Sequence, residues 1–344
     1  MHDQHLYILG LVILVVIVVI LFSYKETFSD EIMVGETETT RAVLGNYTTN
    51  VRKLHGNSGE TIIMVHNSPF TQEVWTPLFM HAQQHRKTEK IPTIISYDVM
   101  GYGSGWVPID PQYNDANVNN KAWELDIFVD QLYNLHRQYA PNTPVTLVGY
   151  GFGGTIAQLY ALKHPETIKK LVIMMATIGP TRTGVPSEIS YLVNWIAQNP
   201  RPSYLTIEQS FVQHNLCKWF DNNDMLECPS SENRTDPGQE IDTNAFLIAS
   251  MLFRQTNCQV YLQIDKIIAT NNLLESWNAA KLSFPIVFLA GTRDVYMDID
   301  KLKQDMKLVE KATDNTVDLV TVDGKHGYPI ANPKYVYNLI TGQK

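Results

Sequence analysis

The sequence predicts an α/β fold: a mostly parallel, twisted sheet with helices on both faces, an inserted helical cap and one N-terminal transmembrane helix. Three observations predict it. Short β-branched runs alternate with longer segments of helical spacing, the rhythm of strand–helix–strand units. The runs are nearly continuous in apolar residues rather than strictly alternating, in agreement with strands buried on both faces. Each run ends in a polar or glycine-rich cluster, and in a parallel sheet those clusters share one rim, where such folds place their ligands. At 344 residues, 44% hydrophobic and 18% charged, the chain has the material for a large core and is not a disordered polymer. A net charge of −8 without any block of Lys or Arg argues against nucleic acid as a partner. Three cysteines are too few for a disulfide scaffold.

The N-terminus is the first distinct element. After a short tail, residues 1–5, the run Leu6 to Phe22 carries no charge and one glycine. As a helix it is about 25 Å long, near the lower limit for crossing a bilayer. A cleaved signal peptide would need a basic start and small residues before the cut, and a buried core helix would not be apolar all round; neither description fits well. The run is therefore expected to be a single-pass anchor in the lipid bilayer. Its orientation is open, because Lys25 is the one nearby positive charge. Two glycosylation sequons, at Asn46 and Asn233, matter if the following domain faces the lumen or the outside. In a chain this rich in Asn, two are expected by chance.

Residues 23–40 are polar and acidic, a stalk, and residues 41–344 form the main domain. Strands are expected at Thr61–Val65, Thr93–Tyr97, Val145–Val148, Lys170–Met175, Pro285–Leu289 and Val317–Val322. Helices are expected at Lys121–Tyr139, stopped by Pro141, at Thr155–Lys163 and at Ile299–Lys311. From about 180 to 282 the alternation lapses, and this stretch reads as a mostly helical cap over the rim. Cys217 and Cys228 within it are either free thiols or, in an oxidising compartment, a bridge.

Four strand-end motifs carry a resemblance to a known family. His66-Asn67-Ser68-Pro69 is similar to an H-G-x-P turn, with Asn, a residue tolerant of positive φ, at the glycine position. Asp98 to Gly105 is similar to a D-x-x-G-x-G-x-S turn with its final Ser displaced by one. Gly149-Tyr150-Gly151-Phe152-Gly153 has the pattern of a G-x-S-x-G nucleophile elbow, a sharp strand-to-helix turn, with Gly151 at the serine position. Asp294 and His326 follow later strands in the chain order of a triad's acid and base. Together these segments resemble the α/β-hydrolase fold superfamily, in its epoxide hydrolase, haloalkane dehalogenase and proline iminopeptidase-like branch. The spacing of Gly149 to Gly154 does not fit the G-x-G-x-x-G of a dinucleotide site. No metal cluster and no cofactor is expected.

The resemblance implies that His326 and Asp294 face each other as triad partners. It also implies that the N–H groups of Phe152 and Ser68 are oxyanion donors, and that Asn67 and His66 line the ligand site. The glycines have a purely structural account besides, and His66 can simply cap its strand. Gly151 has no side chain, so no acyl-enzyme can form there. The vacated side chain leaves space that water can fill, and a gain of activity in Gly151→Ser would show that the rest of the machinery is assembled. Ser68 and Ser104 lie near the rim but not on the elbow, and Tyr150 is expected to point away from it. Three functions remain open on the sequence. The first is a membrane-anchored, catalytically impaired homologue binding a small apolar ligand or a protein partner. The second is an active hydrolase of small esters, lactones or epoxides, using water activated by His326 and Asp294. The third is a surface protein that reuses the fold for contact alone.

Overall fold

A computed structural model of the chain describes residues 37–68, 70–86, 88–103, 123–179, 264, 267–268 and 270–343. The expected anchor at 6–22, Pro69, Ser104, Asn233, Cys217, Cys228 and residues 180–263 of the expected cap lie outside the described residues. Among those described, no helix is long and apolar enough to cross a membrane. The chain divides into two compact units, Met1–Glu38 and Thr39–Lys344. The sheet and its helices belong to the second, save the first two residues of the opening strand.

Eight strands form one sheet: β1 (Thr37–Leu44), β2 (Tyr47–Leu54), β3 (Thr61–Val65), β4 (Thr93–Tyr97), β5 (Val145–Tyr150), β6 (Ile168–Met174), β7 (Ile286–Gly291) and β8 (Val317–Val322). Their spatial order is β1-β2-β4-β3-β5-β6-β7-β8. From β4 to β8 every neighbour is parallel, and β2 joins β4 antiparallel. All six expected strands are present within two residues of their expected ends. The first two were not expected. β1 begins at Thr37, inside the stretch read as stalk, and a turn at Gly45 and Asn46 leads directly into β2.

Helices α1 (Thr76–His85), α2 (Leu125–Tyr139), α3 (Phe152–Lys163), α4 (Leu274–Ala279), α5 (Ile299–Ala312), α6 (Tyr328–Ala331) and α7 (Pro333–Thr341) complete the described fold. Each longer helix forms for a readable reason. α2 turns Ile127, Phe128, Leu132 and Leu135 to the core at helical spacing. α5 starts where the Asp298 carboxylate accepts the Lys301 N–H at 3.0 Å, and it buries Leu302, Met306 and Val309. Alternation along the strands divides the core into two clusters. Ile63, Val65 and Leu147 belong to one, while Ile62, Met64 and Val148 belong to the other. Ile264, Ile267, Leu273, Trp277 and Leu282, at the end of the expected cap, are in the first cluster. The Trp277 indole also donates to the Gln158 side chain at 3.2 Å. The last part of that segment is thus core rather than cover, because its large apolar side chains pack under α3 and α5.

The order of strands sets the site. The chain runs from β3 outward to β4 on one side, then returns to β5 on the other. The carboxyl ends of β3 and β5 therefore flank the point where winding reverses, the crevice such sheets use. Register is explicit there: Val65 pairs with Gly149. Two residues further along each strand, Asn67 stands opposite Gly151.

Candidate active site

The elbow forms at the end of β5. Gly151 has φ +51° and ψ −118°, and its N–H donates to the Met174 carbonyl at 2.8 Å. A side chain at this φ is strained, which glycine avoids. α3 begins at the next residue and packs directly on the end of β3. A Cβ at Gly153 would lie 2.3 Å from the Val65 carbonyl oxygen, so only glycine permits the approach. Phe152, the first residue of the helix, is buried with its ring edge-on to Phe128 at 5.1 Å.

Asp294 and His326 face each other. Asp294 follows β7 and is buried. One of its oxygens accepts the Tyr296 N–H at 2.9 Å, and the other receives His326 Nδ1–H at 2.7 Å. His326 follows β8. The two loops are laced together by Thr292 N–H to the Val322 carbonyl and Arg293 N–H to the Gly324 carbonyl. Tyr296 lies edge-on to the imidazole at 5.2 Å. Tyr150 does not point away from the site as expected. It is fully buried, and its hydroxyl donates to the His326 carbonyl at 3.0 Å. Burial holds its phenol well above the ordinary range. The strand's alternation sends Tyr150 to the opposite face, and the His326 loop folds over that face to meet it.

Asn67 departs most from expectation. Its side-chain oxygen accepts the Phe152 N–H at 2.7 Å, and its amide nitrogen lies 3.0 Å from His326 Nε2. The chemistry fixes which end is which. The Phe152 N–H can only donate, so it faces Oδ1. The carboxylate takes Nδ1–H, so Nε2 is the acceptor and faces the Nδ2 donor. A Cβ built on Gly151 would lie 2.1 Å from Asn67 Oδ1, 2.2 Å from its Cγ and 2.6 Å from its Nδ2. The space expected to hold water therefore holds the Asn67 amide.

The remaining expected residues take supporting places. His66 is wholly buried: Nδ1–H donates to the Asn67 carbonyl at 3.0 Å, and Nε2 accepts the Val99 N–H at 2.9 Å. Loss of hydration pushes it down to about 4, so it is neutral and ties the β3 and β4 loops together. Ser68 is buried, and its hydroxyl receives that of Tyr102 at 2.6 Å. Asn46 is exposed in the β1–β2 turn, remote in sequence from the rim loops. No group of three or more metal-ligating side chains occurs among the described residues.

A parallel sheet with an elbow at its switch point, and an acid and a base after the next strands in order, defines a hydrolase-type α/β protein. The chain belongs to the alpha/beta hydrolase fold family, whose model matches residues 54–327. Among curated proteins it is 31% identical over 119 residues to the 2-hydroxymuconate semialdehyde hydrolase of Pseudomonas sp. (strain CF600), covering 34% of this chain and 36% of that one. It is 24% identical over 137 residues to the proline iminopeptidase of Elizabethkingia meningoseptica, covering 39% and 42%. The matches thus span well under half the length of these relatives. The enol-lactonase of Burkholderia xenovorans LB400 superposes with a TM-score of 0.64 at 14% identity, over 88% of this chain and 99% of that one, a likeness of fold.

Proposed function

We propose that this chain is a membrane-anchored member of the family that no longer hydrolyses through a serine and instead binds a small apolar ligand at the rim. The observation that carries the reading is the elbow itself. It has the family's geometry, an oriented imidazole–carboxylate pair and an oxyanion donor, but Gly151 at the position that would attack. Without a nucleophile the covalent route is closed, and members of a triad act as a unit, so most of the rate enhancement goes with it. The water route has less support than the sequence suggested, because the acceptor nitrogen of His326 already receives the Asn67 amide. The name of one relative, a semialdehyde hydrolase, favours a small molecule over a protein as the occupant. The anchor rests on the uncharged run 6–22.

The test is turnover by the full chain in detergent against activated esters, a lactone, an epoxide and a haloalkane, beside His326→Ala. The expected rate is that of the variant for every substrate. Turnover that disappears in His326→Ala overturns the reading and restores the water route.

A further inference from the structure

We infer that Asn67 and Gly151 are an exchanged pair, and that the Asn67 amide is a built-in occupant holding the oxyanion pocket shut. The inference deepens the proposed function and rests on it only in the absence of a nucleophile at Gly151.

Steric exclusion comes first. The three heavy atoms nearest a Cβ at Gly151 all belong to Asn67, each closer than non-bonded atoms can stand. One side chain can occupy this space, not two. In the motif that the β3 turn resembles, glycine precedes the variable position and serine sits on the elbow; here the side chain is on the turn and the glycine on the elbow. Register explains why the two changes meet although 84 residues separate them: Val65 pairs with Gly149, which brings the next turns face to face.

The second argument is chemical. Asn67 presents an amide oxygen to the Phe152 N–H and an amide nitrogen to the imidazole. Those are the two groups that would hold a substrate's carbonyl oxygen and take the proton of an attacking hydroxyl. The side chain therefore imitates an acyl group within its own chain. It is buried and bonded at both ends, so withdrawing it would leave the first N–H of α3 without its acceptor. A ligand at the rim must lie above Asn67 or displace it.

It follows that neither position alone restores hydrolysis. Asn67→Gly opens the pocket but adds no nucleophile. Gly151→Ser adds one with no room for it. With both changes, the new hydroxyl attacks the ester carbonyl carbon and its proton passes to His326 Nε2. The carbonyl oxygen takes the Phe152 N–H that Asn67 had held. The C–O bond to the leaving group breaks, and the leaving oxygen takes the proton from His326. Water then repeats the sequence and frees the acid.

The test uses the full chain in detergent, p-nitrophenyl butyrate, and Asn67→Gly, Gly151→Ser and the double variant. The double variant is expected to exceed both singles by at least about 100-fold and to lose the gain with His326→Ala. Gly151→Ser alone matching the double overturns the inference, as does a double variant that is folded by near-ultraviolet circular dichroism yet silent. Should the double variant not fold, exchange of the Phe152 amide decides. Asn67→Gly is expected to speed it about tenfold or more, while Asn67→Asp, which still offers an acceptor, keeps it slow. Unchanged exchange in Asn67→Gly overturns the inference. Turnover by the unaltered chain sinks the non-hydrolytic reading, whereas the ordering of the three variants judges the pair.

Discussion

At Asn67 a single amide joins the Phe152 N–H to the His326 imidazole, and its loss has a calculable cost. Asn67→Ala leaves the buried Phe152 N–H and His326 Nε2 without the partners they have now. We expect the variant to be less stable by about 1–3 kcal/mol, read from the urea midpoint. An unchanged midpoint would mean that the amide does not bridge them. The places of Asp294, His326 and Gly151 were legible in the sequence, because each motif follows a strand and strand ends fix position. The occupancy of the elbow by Asn67 was not legible. The sequence shows Asn at one turn and Gly at another, and only the β3–β5 register makes them one event. Had that pairing been combined with the two departures from the motifs, the exchange could have been found. Tyr150 was misplaced for a related reason: alternation gives the face on which it lies, not the later loop that folds over that face.

At the scale of elements, the turns after β3 and β4 carry two buried groups that titrate in opposite senses. Burial pushes His66 from 6.5 down to about 4 and Asp98 from 3.8 up to about 7. As pH falls from 6.5 to 4, the unfolded chain takes a proton at His66 that the fold refuses, costing about 3 kcal/mol of stability. As pH falls from 7 to 3.8, the fold takes a proton at Asp98 before the unfolded chain does, adding about 4 kcal/mol. The two contributions offset each other across nearly the same window. Asp98→Asn removes the second, so its stability is expected to fall by about 3 kcal/mol relative to wild type between pH 7 and 4. Urea titrations at a series of pH values measure this, and parallel curves would contradict it. The inner parallel strands, β3 to β7, were readable because burial on both faces makes them largely apolar. β1 and β2 were not, since TETTRAVL and YTTNVRKL mix polar and apolar residues at the edge of the sheet. α1 was missed because its short apolar stripe, Leu78, Phe79 and Ala82, follows a 3-10 turn at Gln72–Trp75 and has Pro77 in its own first turn.

At the scale of the whole molecule, the sheet from Thr39 onward and both core clusters lie within the unit Thr39–Lys344. Removing residues 1–36 is expected to release the protein from the membrane pellet after carbonate extraction while leaving its urea midpoint within about 0.5 kcal/mol of the full chain. Retention of the shortened chain in the pellet would place the anchoring elsewhere. On the proposed anchoring, a glycosidase-sensitive mass at Asn46, exposed in the first turn, would place the domain on the lumenal or outer side. The family was legible from four short motifs. The occupant of its site was not, since the stretch from about 180 to 282 carries no readable motif.

The central claim is that the Asn67 amide fills the place of the reacting groups. Nuclear magnetic resonance of the full chain, labelled with ¹⁵N at asparagine and histidine, tests it most directly. The account predicts one Asn67 amide proton shifted downfield, slow to exchange, and coupled across its hydrogen bond to His326 Nε2, all of which vanish in His326→Ala. Two Asn67 amide protons at ordinary positions, exchanging freely with water, would show an open pocket and contradict it.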